Sequence, residues 1–240
     1  MDFVNVLEDA LNYTKEGIFG RADRWTKLII AIICLGIPLN GYVMRIYRGA
    51  QPAPEVDEWG TLFIDGIRLL IVGLIYTIPI LIVWILTYGL NLMRFISAGM
   101  DSSVMDSWSP NLGLMILMNV IEIIVAILLP VASIRFARTG SFSEAFNFNA
   151  IIDTIKRIGW INYVVAIVLI AVVIGIPLCI IIFGLIIVGG IVAYLLGFGV
   201  PAILAIVAIA VLILLIIMPL IGVFQARYMT RIYDSAVPEA

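Results

Sequence analysis

Apolar residues run in long blocks along this chain, and the polar and charged residues are confined to the gaps between them. Residues 67–93 carry one charge, Arg68, near the start; residues 112–134 carry one, Glu122, near the middle; from Ile158 to Ala226 there is none. About 20 apolar residues cross a bilayer as a helix, so 67–93 and 112–134 are each read as a span. The long uncharged stretch has room for two long spans or three short ones. Gly189-Gly190 and the GFGVP run at 197–201 interrupt it, which places the spans at about 160–196 and about 202–228. Pro177 and Pro219 are tolerable inside membrane helices and mark kinks.

Two shorter patterns flank these blocks. In the first 26 residues, Phe3, Val4, Leu7, Ala10 and Leu11 fall on one helical face with Asp2, Glu8, Asp9 and Asn12 elsewhere, an amphipathic helix that lies on the membrane or packs under the bundle. Residues 141–158 predict a second interfacial helix, opened by Ser141 with Glu144 three residues on, a capping-box spacing. Phe142 and Phe146 do not share a stripe with Ile151 and Ile155, so that helix is either wedged between bundle and lipid or broken.

The segment 28–44, LIIAIICLGIPLNGYVM, is short for a span and carries Pro38, Asn40 and Gly41, a turn signature. It either crosses as a short span or dips in and returns as a re-entrant hairpin. Positive charge arbitrates. If 28–44 crosses, Lys15, Arg21, Arg24, Lys27 and Arg94 share one face. If it returns, Arg94 stands alone against all other Lys and Arg residues. The second, more asymmetric arrangement gives four full spans, a re-entrant hairpin and both termini cytoplasmic, with the 94–111 loop and its Asp101 and Asp106 outside. Three short spans over 158–226 would send Arg227 and Arg231 outward, against the same rule.

Composition agrees. The chain is 63% hydrophobic and 12% charged, with mean hydropathy +1.18, whereas soluble domains are nearer half apolar and a quarter charged. The expectation is an all-α, polytopic membrane helix bundle, one domain over 1–240, in the cell membrane. The acidic start MDFVNVLEDALNY lacks the positive charge of a signal peptide, so no cleaved signal is expected. There is no histidine, which removes His-based triads, proton relays and most zinc or haem sites. Cys34 and Cys179 sit in apolar segments and read as small core residues rather than a metal or disulfide pair. No HExxH or GxSxG occurs. No enzymatic activity, cofactor, metal or nucleic-acid partner is expected.

Glu122 is the one candidate for chemistry inside a span. A charge at the bilayer centre costs at least roughly 2.5–3.5 kcal/mol, so it should face protein or water, and the neutral acid is the form hydrocarbon favours. Asn119 lies one turn earlier on the same face; Tyr76, Thr77, Thr87, Asn91, Asn162 and Tyr194 are partners from other helices. Glu122 then serves as hydrogen-bonded glue within the bundle or between subunits, or as a proton or cation site in a transporter or channel for a small solute or proton. A second candidate is a cytoplasmic collar of Arg45, Arg48, Asp65, Arg68, Arg227 and Arg231, paired with nearby acids or contacting lipid headgroups. Gly184, Gly189, Gly190 and Gly197 offer places for close helix contact.

The runs GYVMRIYRG, DEWGTLFIDGIR with YTIP after it, RFARTGSFSEAFNF and the closing ARYMTRIYD stand in one order from about Trp25 to Asp234. Together they resemble a prokaryotic, largely archaeal, membrane protein family known as domain of unknown function 4013. The resemblance implies the membrane fold and no catalytic residues. The leading expectation is a structural or accessory membrane module, a homo-oligomer or a subunit of a larger membrane complex, in contact with lipids.

Overall fold

The computed structural model describes residues 1–100, 111–197 and 199–236, and every regular element among them is helical. The expected outward placement of Asp101 and Asp106 falls outside the described residues. Helices α1 (Phe3–Thr14), α2 (Ala22–Ile33) and α3 (Ile37–Tyr47) precede α4 (Trp59–Trp84), which continues through a π turn into α5 (Leu90–Ser97). There follow α6 (Leu112–Thr139), α7 (Phe142–Ala145), α8 (Phe148–Ile158), α9 (Trp160–Leu196) and α10 (Val200–Asp234). Four helices are long and apolar enough to span a membrane: Trp59–Gly89, Leu112–Thr139, Trp160–Leu195 and Val200–Asp234.

Several boundaries differ from the sequence reading. The first span begins at Trp59, eight residues before position 67, because Asp65 and Arg68 are tolerated in the helix once they have partners. The N-terminal 26 residues are not one helix: α1 gives way to a π turn over Lys15–Phe19 and the chain breaks at Gly20. Phe3, Leu7 and Ala10 pack inward as expected, but Val4 and Leu11 are exposed. Residues 141–158 are broken into α7 and α8. Asn147 caps α8 by accepting from the Ala150 amide, and Ser141 makes no cap bond because its hydroxyl meets Ser143 instead.

The 28–44 segment is neither one crossing helix nor turned where Pro38, Asn40 and Gly41 suggested. The reversal lies at Cys34–Gly36, with Leu35 and Gly36 both at positive φ (61° and 69°). Pro38 stands at the start of α3, where a missing N–H costs nothing. Gly41 is mid-helix for another reason. A Cβ there would sit on the Leu62 carbonyl, and one on Gly66 would sit on the Ile37 carbonyl, so α3 and α4 meet backbone to backbone. Helices that lack a hydrophobic drive toward each other in lipid gain from such close packing. The glycines expected to do this, Gly184, Gly190 and Gly197, face open space, and Gly189 makes only ordinary contact with Ile206.

Packing is one-ended. The buried residues of α6 are Val131–Ile134, Phe136 and Ala137, near its C-terminus; those of α9 include Tyr163, Ala166 and Ile170, near its N-terminus; those of α10 cluster from Pro219 to Ile232. Those of α4 lie mainly from Leu62 to Tyr76. The four long helices therefore alternate in direction and share a core at one end. Buried tyrosines pin it. Tyr163 donates to the Ile127 carbonyl (2.7 Å), Tyr228 to Ala166 (3.1 Å), Tyr76 to Ala145 (2.7 Å) and Tyr42 to Pro54 (3.0 Å). At the far end Ile180, Phe183, Ile186 and Ile203 are among many exposed apolar side chains, the surface that lipid covers.

Gly66→Ala should destabilise the fold by about 1–3 kcal/mol, the usual penalty of overpacking. Gly184→Ala, where a methyl meets nothing, should be neutral or slightly stabilising. Thermal unfolding in a mild detergent compares the two; equal melting temperatures would refute the close-contact account.

Candidate functional sites

The packed end of the bundle carries most of the charge, and folding sorts it into clusters. Arg45 on α3 is held through both terminal nitrogens: its guanidinium donates to Asp57 (2.7 Å), Glu58 (3.3 Å), the Thr61 hydroxyl (2.9 Å) and the backbone carbonyls of Glu55 and Asp57. One turn on, Arg48 donates to Asp65 (2.5 Å) and to the Ala137 carbonyl (3.3 Å), tying α3 to both α4 and α6. Arg68 reaches Asp65 only at 3.8 Å and is half exposed. These side chains surround an open cavity of about 400 Å³.

Arg227 and Arg231 form a separate cluster with α1. Arg227 is 3% exposed; it donates to both oxygens of Asp9 (2.6 and 3.1 Å) and lies 4.8 Å over the Tyr13 ring, while Arg231 stands 3.7 Å from Asp9. Burial pushes the Tyr13 hydroxyl up to about 12 against the pull of Arg227 and Arg24, so it stays a donor to the Ala50 carbonyl (2.9 Å). The collar thus splits in two, and it has members the sequence reading missed. Arg24, buried, pairs with Glu55. Arg138 joins α6 to the Tyr47 carbonyl (2.8 Å) and to Asp234 (2.6 Å). Arg135 pairs with Glu144, with its Nε buried and unpartnered. Their signal in the sequence was position: each stands near a helix end beside an apolar block.

Glu122 is not packed in the bundle. Its side chain is exposed on α6 and has no partner among the described residues; Asn119 is exposed beside it and donates to the Met115 carbonyl (2.8 Å). Four of the partners expected for Glu122 are engaged elsewhere: Tyr76, Thr77, Thr87 and Asn162 all bond backbone carbonyls, Thr77 and Thr87 one turn back along the same helical run and Asn162 at Ile158, the end of α8. Tyr194 is exposed at the far end of α9. Leu112, Ile116, Val120 and Ile123 are exposed on another side of α6; the residues that share a side with Glu122 are Met115, Met118, Asn119 and Ala126, one or two turns away.

Between the helices, just beneath the charged layer, lie two cavities. One, of about 230 Å³, is an open cleft lined by α3, α4, α6 and α10 and includes Asn40, Tyr47, Gly73, Ser133 and Gln225. The other, of about 400 Å³, is an open cleft lined by α6, α9 and α10 and includes Ala126, Ala171, Gly175 and Gln225. Leu129, Pro130, Gln225 and Met229 belong to both walls. The sequence reading missed Gln225. Its signal was to be the only amide side chain in the last span.

Among the described residues no three His, Cys, Asp or Glu side chains converge as a metal site, and both cysteines are free. A family model described as a protein of unknown function (DUF4013) matches residues 26–188. The match runs from α2 into α9, and the closing ARYMTRIYD lies beyond it. No curated protein and no solved structure matches the chain.

Asp9→Asn should cost on the order of 3 kcal/mol, because it leaves the buried Arg227 charge without its counter-ion. Chemical unfolding followed by tryptophan fluorescence reads the loss. The Arg135 hydrogen bond, with Asn147 adding to it, holds the Glu144 carboxyl below its ordinary value. A depressed acid stabilises the fold above its unfolded pKa, about 4.3, and that contribution disappears as pH falls through the lowered folded value. Melting temperature should therefore drop below about pH 4, and less steeply in Glu144→Gln, which starts lower at neutral pH.

Proposed function

This chain belongs to the protein family of unknown function DUF4013, and from its own geometry we propose that it is a non-catalytic membrane module that pairs with a second copy through the side of α6 that carries Glu122. The carrying observation is Glu122, an exposed, unpartnered acid on an apolar helix face. Lipid offers no hydrogen bonds, so the group calls for a partner in the membrane. Its neighbour supplies the complement. The Asn119 amide already donates to Met115, which leaves its carbonyl oxygen open. A protonated Glu122 is a donor. Two copies related by a two-fold axis would exchange the bond twice, Glu122 of each to Asn119 of the other, the self-complementary pattern of an isologous interface. Met115, Met118 and Ala126, one or two turns away on the same side of α6, would supply the apolar contact around it.

The topology that goes with this reading places the charged end in the cytoplasm. Both termini, the base of the α2–α3 hairpin and the arginines of α3, α6 and α10 gather there, as the positive-inside rule favours. The hairpin then enters the cytoplasmic leaflet with its apolar tip, Leu35, 86% exposed to lipid. Transport through Glu122 has less support, since neither cavity beneath the collar has Glu122 in its wall.

At roughly 1 kcal/mol for each interhelical bond, Glu122→Ala should weaken association by about thirtyfold for the symmetric pair, and Glu122→Gln should retain most of it. Mass measurement after gentle extraction gives the answer. A dimer for the wild type and monomer for Glu122→Ala are expected; a monomeric wild type, or fixed association with a different polypeptide, would overturn the pairing. Cysteines at Glu16→Cys and Ser235→Cys should both react only from the cytoplasmic side, and labelling of either from outside defeats the topology.

A further inference from the structure

The two cavities around Gln225 hold an unusual combination: hydrogen-bonding groups without partners, no charge, and walls that are otherwise apolar. Gln225 makes no hydrogen bond among the described residues and remains accessible, although it stands within a span-length helix. The Ser133 hydroxyl, on α6 across from it, is likewise unbonded. Asn40 uses its amide N–H on the Gly36 carbonyl (2.9 Å), so its oxygen is free. Pro130 has no hydrogen to give the carbonyl of Ala126, which lines the second cavity. Elsewhere in the packed end, most tyrosine and arginine donors are matched to carbonyls and carboxylates, with the Arg135 Nε an exception. Around Gln225 several groups go unmatched together, donors and acceptors alike.

We infer that the two cavities form one membrane-embedded chamber that binds a small uncharged hydrogen-bonding solute, of the polyol or simple amide class, with Gln225 as its central recognition group. The chemistry selects that class. A cation or anion would enter without a counter-charge, since no Asp, Glu, Lys or Arg lines either wall. A hydrocarbon chain would leave the amide, the hydroxyl and the asparagine oxygen unsatisfied, at roughly 1–3 kcal/mol each. A neutral solute carrying both donors and acceptors satisfies all of them. The space is adequate: at about 30 Å³ per water, the smaller cavity of about 230 Å³ takes a solute of several heavy atoms with water around it. Ser133 of this site lies about three turns of α6 from Glu122, and the site does not depend on pairing through that acid.

Thiol labelling tests it in the intact protein reconstituted in liposomes. With Cys34 and Cys179 replaced by Ala, single cysteines are placed at Gln225→Cys, at Ser133→Cys (nearly isosteric, in case the first disturbs folding) and at the exposed apolar position Val168→Cys. N-ethylmaleimide needs the thiolate, and apolar surroundings suppress it about tenfold for each unit they raise the thiol pKa. Both chamber cysteines should react at least about tenfold faster than Val168→Cys. Glycerol or acetamide should slow the chamber cysteines more than Ser235→Cys at the aqueous surface, and choline should not. Reaction no faster than at Val168→Cys would mean lipid fills the chamber. Fast reaction without selective protection would mean it holds water alone. Either result overturns the inference.

Discussion

The contact on which this architecture depends is the meeting of two backbones, α3 against α4, at Gly41 and Gly66. Because neither residue has a Cβ, the short helix of the hairpin lies directly against the first long helix. That seating fixes where Arg45 and Arg48 emerge, and Arg48 then closes on Asp65 of α4 and the Ala137 carbonyl of α6. It also brings the chain between α3 and α4 back over the hairpin. Tyr13, Arg24, Tyr42 and Arg45 each donate to a carbonyl between Ala50 and Asp57. A segment without helical hydrogen bonds of its own is held by side chains from three helices. Remove the glycine contact and the carbonyls of this strap lose their donors in turn.

Order is concentrated at the charged end for a physical reason. In lipid, apolar surface gains nothing by facing protein rather than acyl chains, so specificity must come from close packing and hydrogen bonds. The tyrosine–carbonyl pins, the arginine clusters and the glycine contact all lie in the packed half. The other half is nearly pure Ile, Leu and Val with few polar anchors, and its side chains are largely exposed. Glu122 is the exception, and its isolation is what makes it informative.

What the sequence revealed follows the same division. The four long helices were legible because a bilayer imposes length and hydrophobicity on each segment independently of its neighbours. The collar was legible in outline, since arginines beside apolar blocks are confined to the interface, but its pairing was not. Asp9 and Arg227 are almost the whole chain apart, and nothing local joins them. The hairpin reversal was misplaced because Pro38, Asn40 and Gly41 are turn-formers by propensity, whereas the fold uses Pro38 to start a helix and Gly41 to admit another backbone. Glu122 was expected to face protein or water because of its charge, yet in the single chain it is exposed without a partner among the described residues, since this half of the bundle is loosely packed. Gln225 escaped notice because an amide carries no charge, although its desolvation is costly as well.

Depth separates the three polar features, and the separation bears on how they can act together. The ion pairs occupy the aqueous edge, where full charges are tolerated. The chamber begins directly beneath, two residues from Arg227 and from Arg135 in sequence, and is built from neutral amide and hydroxyl groups. Glu122 lies eleven residues before Ser133 on α6, about 16 Å further along the helix axis at 1.5 Å per residue, where its side chain is exposed. A proton relay from Glu122 to the chamber would need titratable or hydroxyl side chains along that distance, and the intervening turns of α6 offer Ile, Val, Ala, Leu and Pro. Glu122, Ala126, Leu129 and Ser133 follow one another at i, i+4, i+7 and i+11, a single stripe of α6, so the acid and the cavities are separated by depth along the helix and not by side. Pairing at Glu122 and solute binding at Ser133, as proposed, would therefore take place about three turns of α6 apart.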